Sequence, residues 1–275
     1  MDEESQLSVM ERGNISLTIS TNYKVRLAQK FLAELLGTYC IIFAGCGSVV
    51  VNKLYDGTVT FPGICVTWGL IVMTMIYTLG HVSGAHFNPA VTITLSLLGA
   101  CPFSEVGLYI VSQVLGSTLA SVTLTLIMNI TSDAFFGTTP AGSTIQSFVV
   151  EIILTFILMF IISGACGDDR AVKMQGGIVV GMTIILNVFV GGPISGASMN
   201  PARTLGPAIV LRKFTAIWVY ICGPIIGAIT GAFVYKLLTP TDKSFSDIVK
   251  GQQVVVVERR GPDATRLCNI DHAHR

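Results

Sequence analysis

The chain has 275 residues, of which 51% are hydrophobic and only 12% are charged. Soluble globular domains carry about 25% charged residues, so this composition indicates a protein built for lipid. The net charge of +1 argues against nucleic-acid binding, which needs a concentrated basic surface. Most of the seven cysteines lie in apolar runs without metal-ligand or disulfide spacing. We therefore expect no metal and no cofactor.

Six apolar stretches are long enough, at roughly 20 residues each, to cross a bilayer as helices. In chain order they are Phe31–Asn52, Phe61–His81, Val106–Met128, Phe148–Cys166, Gly176–Val190 and Ile217–Leu238. Two further apolar segments, Asn88–Leu98 and Asn200–Leu211, cover only half of a membrane at about 1.5 Å per residue. The sequence predicts an all-α membrane protein with six transmembrane helices and two re-entrant half-helices.

The chain divides into a membrane domain, residues 29–239, and two tails, residues 1–28 and 240–275. The N-terminal tail is polar and lacks the pattern of a cleaved signal peptide. Basic residues outside the spans favour the side that holds both termini, which the positive-inside rule places in the cytoplasm. On that side lie Lys24, Arg26, Lys30, Arg170, Lys173, Lys236, Lys243, Lys250, Arg259 and Arg260, against Lys53, Arg212 and Lys213 opposite. We expect a multi-pass protein of the plasma membrane or an endomembrane.

The two halves of the membrane domain, residues 29–130 and 146–239, resemble each other. Segment 33–38 matches 150–155, and Ser83-Gly84-Ala85 matches Ser195-Gly196-Ala197. Because each half contains three spans, an odd number, the second copy must be inverted relative to the first. Inverted repeats are typical of transport folds, with the solute site at the midplane between the copies.

An Asn-Pro-Ala triplet opens each short segment, at Asn88-Pro89-Ala90 and at Asn200-Pro201-Ala202. Asparagine is a favoured N-cap, and proline fits the first helical position. In an inverted repeat the two half-helices enter from opposite faces, so their positive N-termini meet near the centre. The Asn88 and Asn200 side chains would then offer N–H donors to a passing oxygen, while the dipoles disfavour cations and proton relay. Simple helix capping could explain one triplet but not two at matched positions.

Over about Phe31 to Asp247 the chain resembles the major intrinsic protein, or aquaporin, family. The resemblance is carried by segments 80–90 and 192–203, which surround the triplets. Within the family the chain is most similar to the nodulin-like intrinsic proteins of plants, through segments 60–63, 68–70, 169–172 and 241–243. The resemblance implies an aquaporin-like channel domain and a homotetramer in which each subunit has its own pore for water and small neutral solutes.

Family resemblance also implies a selectivity filter formed by Trp68, Val188, Ala197 and Arg203. Strict water channels of the family carry Phe and His at the first two positions, so this chain lacks the histidine donor. Taken alone, Trp68 would also fit an interfacial anchor and Val188 ordinary packing. Arg203 is more specific, because an arginine beside a midplane cap must face a polar cavity or a partner.

Three further residues are candidates for supporting roles. The intramembrane carboxylates Glu34 and Glu151 could form a proton relay, but re-entrant loops contain backbone N–H groups that need acceptors, and we favour that role. His86 could act as a pH gate or as a hydrogen-bonding group that fixes its loop, and we favour the second.

The leading hypothesis is a passive channel for glycerol-like polyols, and also for urea, formamide and metalloid acids such as arsenious acid. Such a channel would conduct some water and exclude ions and protons. A water-dominant channel is the alternative, because Thr204, Ala208 and Tyr220 resemble the water-selective members, although Ile221 does not. An ion-coupled transporter could also use inverted repeats, but few titratable residues are available to it. An enzyme is not indicated, because the spans contain no Ser–His–Asp constellation and no cluster of residues with metal-ligand spacing.

Overall fold

The computed structural model describes residues 3–128, 130, 134–167 and 175–239, with side chains from residue 22 onward. Eight α-helices form the described part of the chain. They are α1 (Glu3–Leu54), α2 (Thr60–Ser83), α3 (Pro89–Leu97), α4 (Phe103–Ile127), α5 (Thr144–Ala165), α6 (Gly176–Ser195), α7 (Pro201–Leu211) and α8 (Ile217–Leu238). Segments 169–172 and 241–243, the basic residues of 168–174, and the predicted tail 240–275 lie outside the described residues.

Six of these helices are long and apolar enough to span a membrane: residues Asn22–Leu54 of α1, together with α2, α4, α5, α6 and α8. The predicted all-α class with six spans is confirmed, and α3 and α7, of 9 and 11 residues, are the two short helices. The N-terminus differs from expectation, because α1 begins at Glu3 rather than near the first apolar residue. Its polar first half gives no apolar signal, but it contains no proline that would end the helix.

Helix packing is duplicated between the two halves. Helix α1 packs against α2 and α4, and α5 packs in the same way against α6 and α8. The short helices cross between the halves, since α3 contacts α4 and α8 while α7 contacts α8 and α4. The pairs α2–α6 and α3–α7 join equivalent elements. Every one of these contacts thus has a counterpart, as a twofold repeat predicts.

The α2–α6 contact brings two helix backbones together at a pair of glycines. A Cβ atom on Gly69 would collide with the carbonyl oxygen of Gly181, and one on Gly181 would lie 2.7 Å from the carbonyl oxygen of Gly69. Small residues at such crossings allow helices to approach closely in lipid. Trp68 directly precedes Gly69 and Val188 lies about two turns after Gly181, so both residues stand on the two helices that this crossing joins.

Candidate functional site

Asn88 and Asn200 cap the two short helices. Each has an extended backbone, with φ of −155° and −151°. The Oδ1 atom of Asn88 accepts the backbone N–H of Ala90 at 2.9 Å, and that of Asn200 accepts the N–H of Ala202 at 2.9 Å. The intervening proline has no N–H that would need an acceptor. The triplets therefore begin helices, as the sequence predicted.

The same two side chains join the loops to each other. Asn88 Nδ2 donates to the Met199 carbonyl at 2.7 Å, and Asn200 Nδ2 donates to the Phe87 carbonyl at 2.8 Å. Sequence reasoning assigned these N–H groups to passing solutes and did not foresee the cross-loop bonds. An amide nitrogen carries two hydrogens, so each side chain has one N–H committed to the opposite loop and one further donor.

The Glu34 carboxylate holds the first loop. Its Oε1 accepts the Ser83 hydroxyl at 2.7 Å and the His86 N–H at 3.0 Å, and its Oε2 accepts the Phe87 N–H at 2.7 Å. Gln113 Nε2 donates to Oε2 at 2.8 Å. Each of these partners is a donor, which suits an ionised carboxylate because that form only accepts.

Glu151 occupies the equivalent place at the second loop. Its Oε1 accepts the Ser195 hydroxyl at 2.7 Å and the Ser198 N–H at 2.8 Å, while its Oε2 accepts the Met199 N–H at 2.7 Å. The sequence predicts that both glutamates accept backbone N–H groups of the re-entrant loops, and in the structure each carboxylate accepts two of them.

Both loops have left-handed backbone at matching positions. The residues are Gly84, Ala85 and Phe87 in the first loop and Gly196, Ala197 and Met199 in the second. Non-glycine residues in this region cost on the order of 1 kcal/mol each and persist only where surrounding contacts fix them. The hydrogen bonds to the two glutamates supply such contacts.

Two buried tyrosines donate hydrogen bonds to the residues that precede the two loops. The Tyr109 hydroxyl donates to the Ser83 carbonyl at 2.6 Å, and the Tyr220 hydroxyl donates to the Ser195 carbonyl at 2.8 Å. Sequence reasoning missed Tyr109, although its equivalence to Tyr220, 111 positions later, was a usable signal. It also missed Gln113, whose equivalent position in the second half holds a proline, Pro224.

His86 is half-buried beside the first loop. Its Nδ1 lies 3.1 Å from Thr92 Oγ1, and its ring lies 4.8 Å from the Tyr109 ring. At the equivalent position of the second loop, Ser198 Oγ lies 2.7 Å from Thr204 Oγ1. A side chain bonded to the short helix that follows thus occurs in both loops.

The four residues predicted for the filter are all buried, and two of them, Trp68 and Arg203, are in contact. Trp68, Val188 and Ala197 belong to one buried cluster and are 7%, 5% and 4% exposed. The Arg203 guanidinium carbon lies 5.0 Å from the centre of the Trp68 ring, within the range of a cation–π interaction. The charged group of Arg203 thus lies over the ring of Trp68, and Val188 and Ala197 belong to the same buried cluster as this ring.

Arg203 is buried at the third position of α7, where the positive helix end disfavours a cation. The Trp68 ring lies over this charge and stabilises it. Its Nη1 is buried and has no hydrogen-bond partner within the described part of the chain. A buried N–H without an acceptor is costly, so this donor suits the oxygen of a molecule that passes it.

A connecting segment, residues 134–142, packs against the second loop. Thr138 Oγ1 lies 2.6 Å from Thr204 Oγ1, and the Ala141 N–H donates to the Ile194 carbonyl at 3.0 Å. The Phe136 carbonyl accepts the Cys46 thiol at 3.6 Å. No periodic pattern in the sequence marks this segment, and sequence reasoning did not assign it to the site.

Six spanning helices and two short helices that meet at their N-termini define a membrane channel for small solutes. Residues 21–235 match the sequence model of the family "Major intrinsic protein". The chain belongs to this family, whose members are channels and not enzymes.

Relatives and a solved structure agree with this assignment. The chain is 57% identical to "Probable aquaporin NIP-type" of Nicotiana alata, over 90% of this chain and 95% of the relative. It is 48% identical to "Nodulin-26" of Glycine max, over 90% and 93% respectively. Its fold is similar to that of the aquaglyceroporin from Plasmodium falciparum, with a TM-score of 0.68 and 26% identity, covering 78% of this chain and 98% of that one. These relatives support the predicted similarity to the nodulin-like group.

Proposed function

We propose that the chain is a passive channel for glycerol-like polyols that conducts some water and excludes ions and protons. The carrying observation is Arg203, whose buried Nη1 has no hydrogen-bond partner among the described residues and whose guanidinium lies over the Trp68 ring. Val188 and Ala197 belong to the same buried apolar cluster as Trp68. A polyol has hydroxyl oxygens along one edge and C–H groups along the other. The oxygens would accept from Arg203 while the C–H edge contacts Trp68 and Val188.

At the centre of the pore the second N–H of Asn88 and of Asn200 would donate to the same oxygens. The positive ends of α3 and α7 and the charge of Arg203 would repel cations. Urea, formamide and undissociated arsenious acid share the small size, neutrality and oxygen acceptors that this arrangement selects. The similarity to a structure named as an aquaglyceroporin supports the choice of polyols.

A water-dominant channel is the second candidate, and the position of Thr204 favours it. The Thr204 hydroxyl bonds to both Thr138 and Ser198. The family resemblance implies an aspartate at this position in glycerol-selective members, which would bring a charge to these hydroxyls. The neutral threonine of this chain instead resembles the water-selective members. An ion-coupled transporter is less well supported, because Glu34 and Glu151 are bound to loop donors rather than placed at a moving site.

The membrane arrangement belongs to the same proposal. Both termini would lie in the cytoplasm, and the channel would form a homotetramer in the plasma membrane or an endomembrane. The basic side chains of the described residues support this orientation, because more of them lie on the side of the termini than on the other side. Those on the side of the termini are Lys24, Arg26, Lys30 and Lys236, and those on the other side are Lys53, Arg212 and Lys213.

Stopped-flow swelling of proteoliposomes under glycerol, urea and sorbitol gradients tests the proposal. Glycerol and urea should enter and sorbitol should not, with or without a proton uncoupler. Uptake that stops with the uncoupler would contradict a passive channel, and fast water flux without glycerol entry would favour the second candidate.

Val188→His tests the filter itself. The imidazole adds bulk and the hydrogen-bond donor that strict water channels of the family carry at this position. Glycerol flux should therefore fall roughly tenfold or more while water flux persists. Val188→Ala is the matched control, because it keeps the wall apolar and should preserve glycerol flux. Equal glycerol flux in the two variants would show that Val188 does not line the filter.

A further inference from the structure

A cavity of about 410 Å³ lies between the first part of α1 and the last turn of α2, away from the proposed filter. Its lining consists of Arg26, Gln29 and Lys30 from α1 and of His81 and Val82 from α2. None of these residues has a part in the proposed selection of solutes. The cavity is therefore a separate feature that the channel function leaves unexplained.

The lining is cationic. Arg26 and Lys30 are four residues apart and share one face of α1. Lys30 Nζ lies 2.7 Å from Glu105 Oε2 of α4, which neutralises one charge but leaves ammonium hydrogens for another acceptor. Arg26 is exposed, and the described lining contains no acidic residue. An anion would thus find the Arg26 guanidinium and part of the Lys30 ammonium on one wall and the His81 imidazole on the other.

The position of the cavity indicates where the anion comes from. His81 lies in the last turn of α2 and Glu105 in the first turn of α4, so the cavity is at the helix ends, at the level of lipid headgroups. From Gln29, the exposed side chains of Leu32 and Leu36, 54% and 53% accessible, continue along the same face of α1 into the apolar span. A cationic cavity that leads into an apolar stripe matches a phosphate headgroup followed by an acyl chain.

We propose that this cavity binds the phosphate headgroup of an anionic phospholipid. Arg26 and Lys30 donate to the phosphate oxygens, His81 lies opposite them, and an acyl chain lies along Leu32 and Leu36. The site is independent of which solute the channel conducts.

Native mass spectrometry of the purified full-length protein tests the site, with dioleoyl phosphatidic acid and dioleoyl phosphatidylcholine as probes. The protein should bind phosphatidic acid in preference, and Arg26→Gln should weaken that preference about fivefold, the effect expected for one basic residue near anionic lipid. Arg26→Lys should largely retain it. Lys24→Gln is the matched control, because it removes the same charge from a residue of α1 outside the cavity.

Equal preference in Arg26→Gln and Lys24→Gln, or equal binding of the two lipids by the unmodified protein, would overturn the proposal. Inorganic phosphate forms a separate arm. If it binds in an Arg26-dependent way while lipid binding does not depend on Arg26, the cavity takes free phosphate and the lipid assignment is wrong. A size-exclusion profile of Arg26→Gln that matches that of the unmodified protein verifies that this variant is folded.

Discussion

The Glu151 carboxylate holds the second re-entrant loop through the Ser195 hydroxyl and the Ser198 and Met199 N–H groups. In Glu151→Gln the single remaining oxygen can keep the first two of these bonds. The new amide N–H₂ then faces the Met199 N–H, so one donor loses its acceptor. The substitution changes charge and hydrogen-bonding capacity at almost constant volume.

The cost follows from the contacts. A hydrogen bond to a charged group contributes about 1.5–3 kcal/mol, and a buried N–H left without an acceptor costs about 1–3 kcal/mol. These effects overlap, so we expect a loss of about 3 kcal/mol in the free energy of unfolding. For a chain of this length 1 kcal/mol corresponds to roughly 2–4 °C, and the midpoint of thermal unfolding should fall by roughly 6–12 °C.

The midpoint can be measured in detergent from intrinsic tryptophan fluorescence on heating. Ser163→Ala is the matched control, because Ser163 lies three turns further along α5 and its buried Oγ has no partner within the described residues. This control loses no described hydrogen bond and should keep the midpoint of the unmodified protein. If Glu151→Gln and Ser163→Ala unfold at the same temperature, the carboxylate does not hold the loop.

Two further substitutions test the filter wall and the helix crossing. Trp68→Ala removes the ring beside Arg203 and widens the filter, so sorbitol should enter proteoliposomes in the swelling assay; continued exclusion of sorbitol would contradict the assignment of Trp68. Gly69→Val places a side chain against the Gly181 backbone and should abolish the folded peak in size-exclusion chromatography, whereas Gly107→Ala, where a Cβ would meet nothing within 4 Å, should leave that peak unchanged.

Much of the fold is predictable because lipid imposes simple rules on the sequence. The predicted span Ile217–Leu238 has the same bounds as α8, and the predicted half-helices begin at the two asparagines that cap α3 and α7. The first half of α1 is not predictable in this way. Its residues are polar, and apolar length, the signal that identifies spans, says nothing about a helix that continues outside the membrane.

The site is predictable only in part. The roles of Glu34 and Glu151 are predictable because backbone N–H groups of re-entrant loops need acceptors at membrane depth, and few other acceptors are available there. The bond from Gln113 to Glu34 and the contact of Thr138 with Thr204 join residues that are distant in the chain, and no periodicity links them. Such contacts depend on how the loops fold over each other, which composition and spacing do not specify.

The cross-loop bonds of Asn88 and Asn200 also constrain how the chain is assembled. Phe87 and Asn88 are synthesised long before their partners, since Asn200 follows Asn88 by 112 positions. Until then the Phe87 carbonyl and one Asn88 N–H lack these partners, and an unsatisfied polar group costs several kcal/mol in hydrocarbon. We therefore expect these two groups to stay in contact with water until the second loop is in place. A chain that ends after α4 would keep the Phe87 carbonyl and the Asn88 N–H without their partners from the second loop.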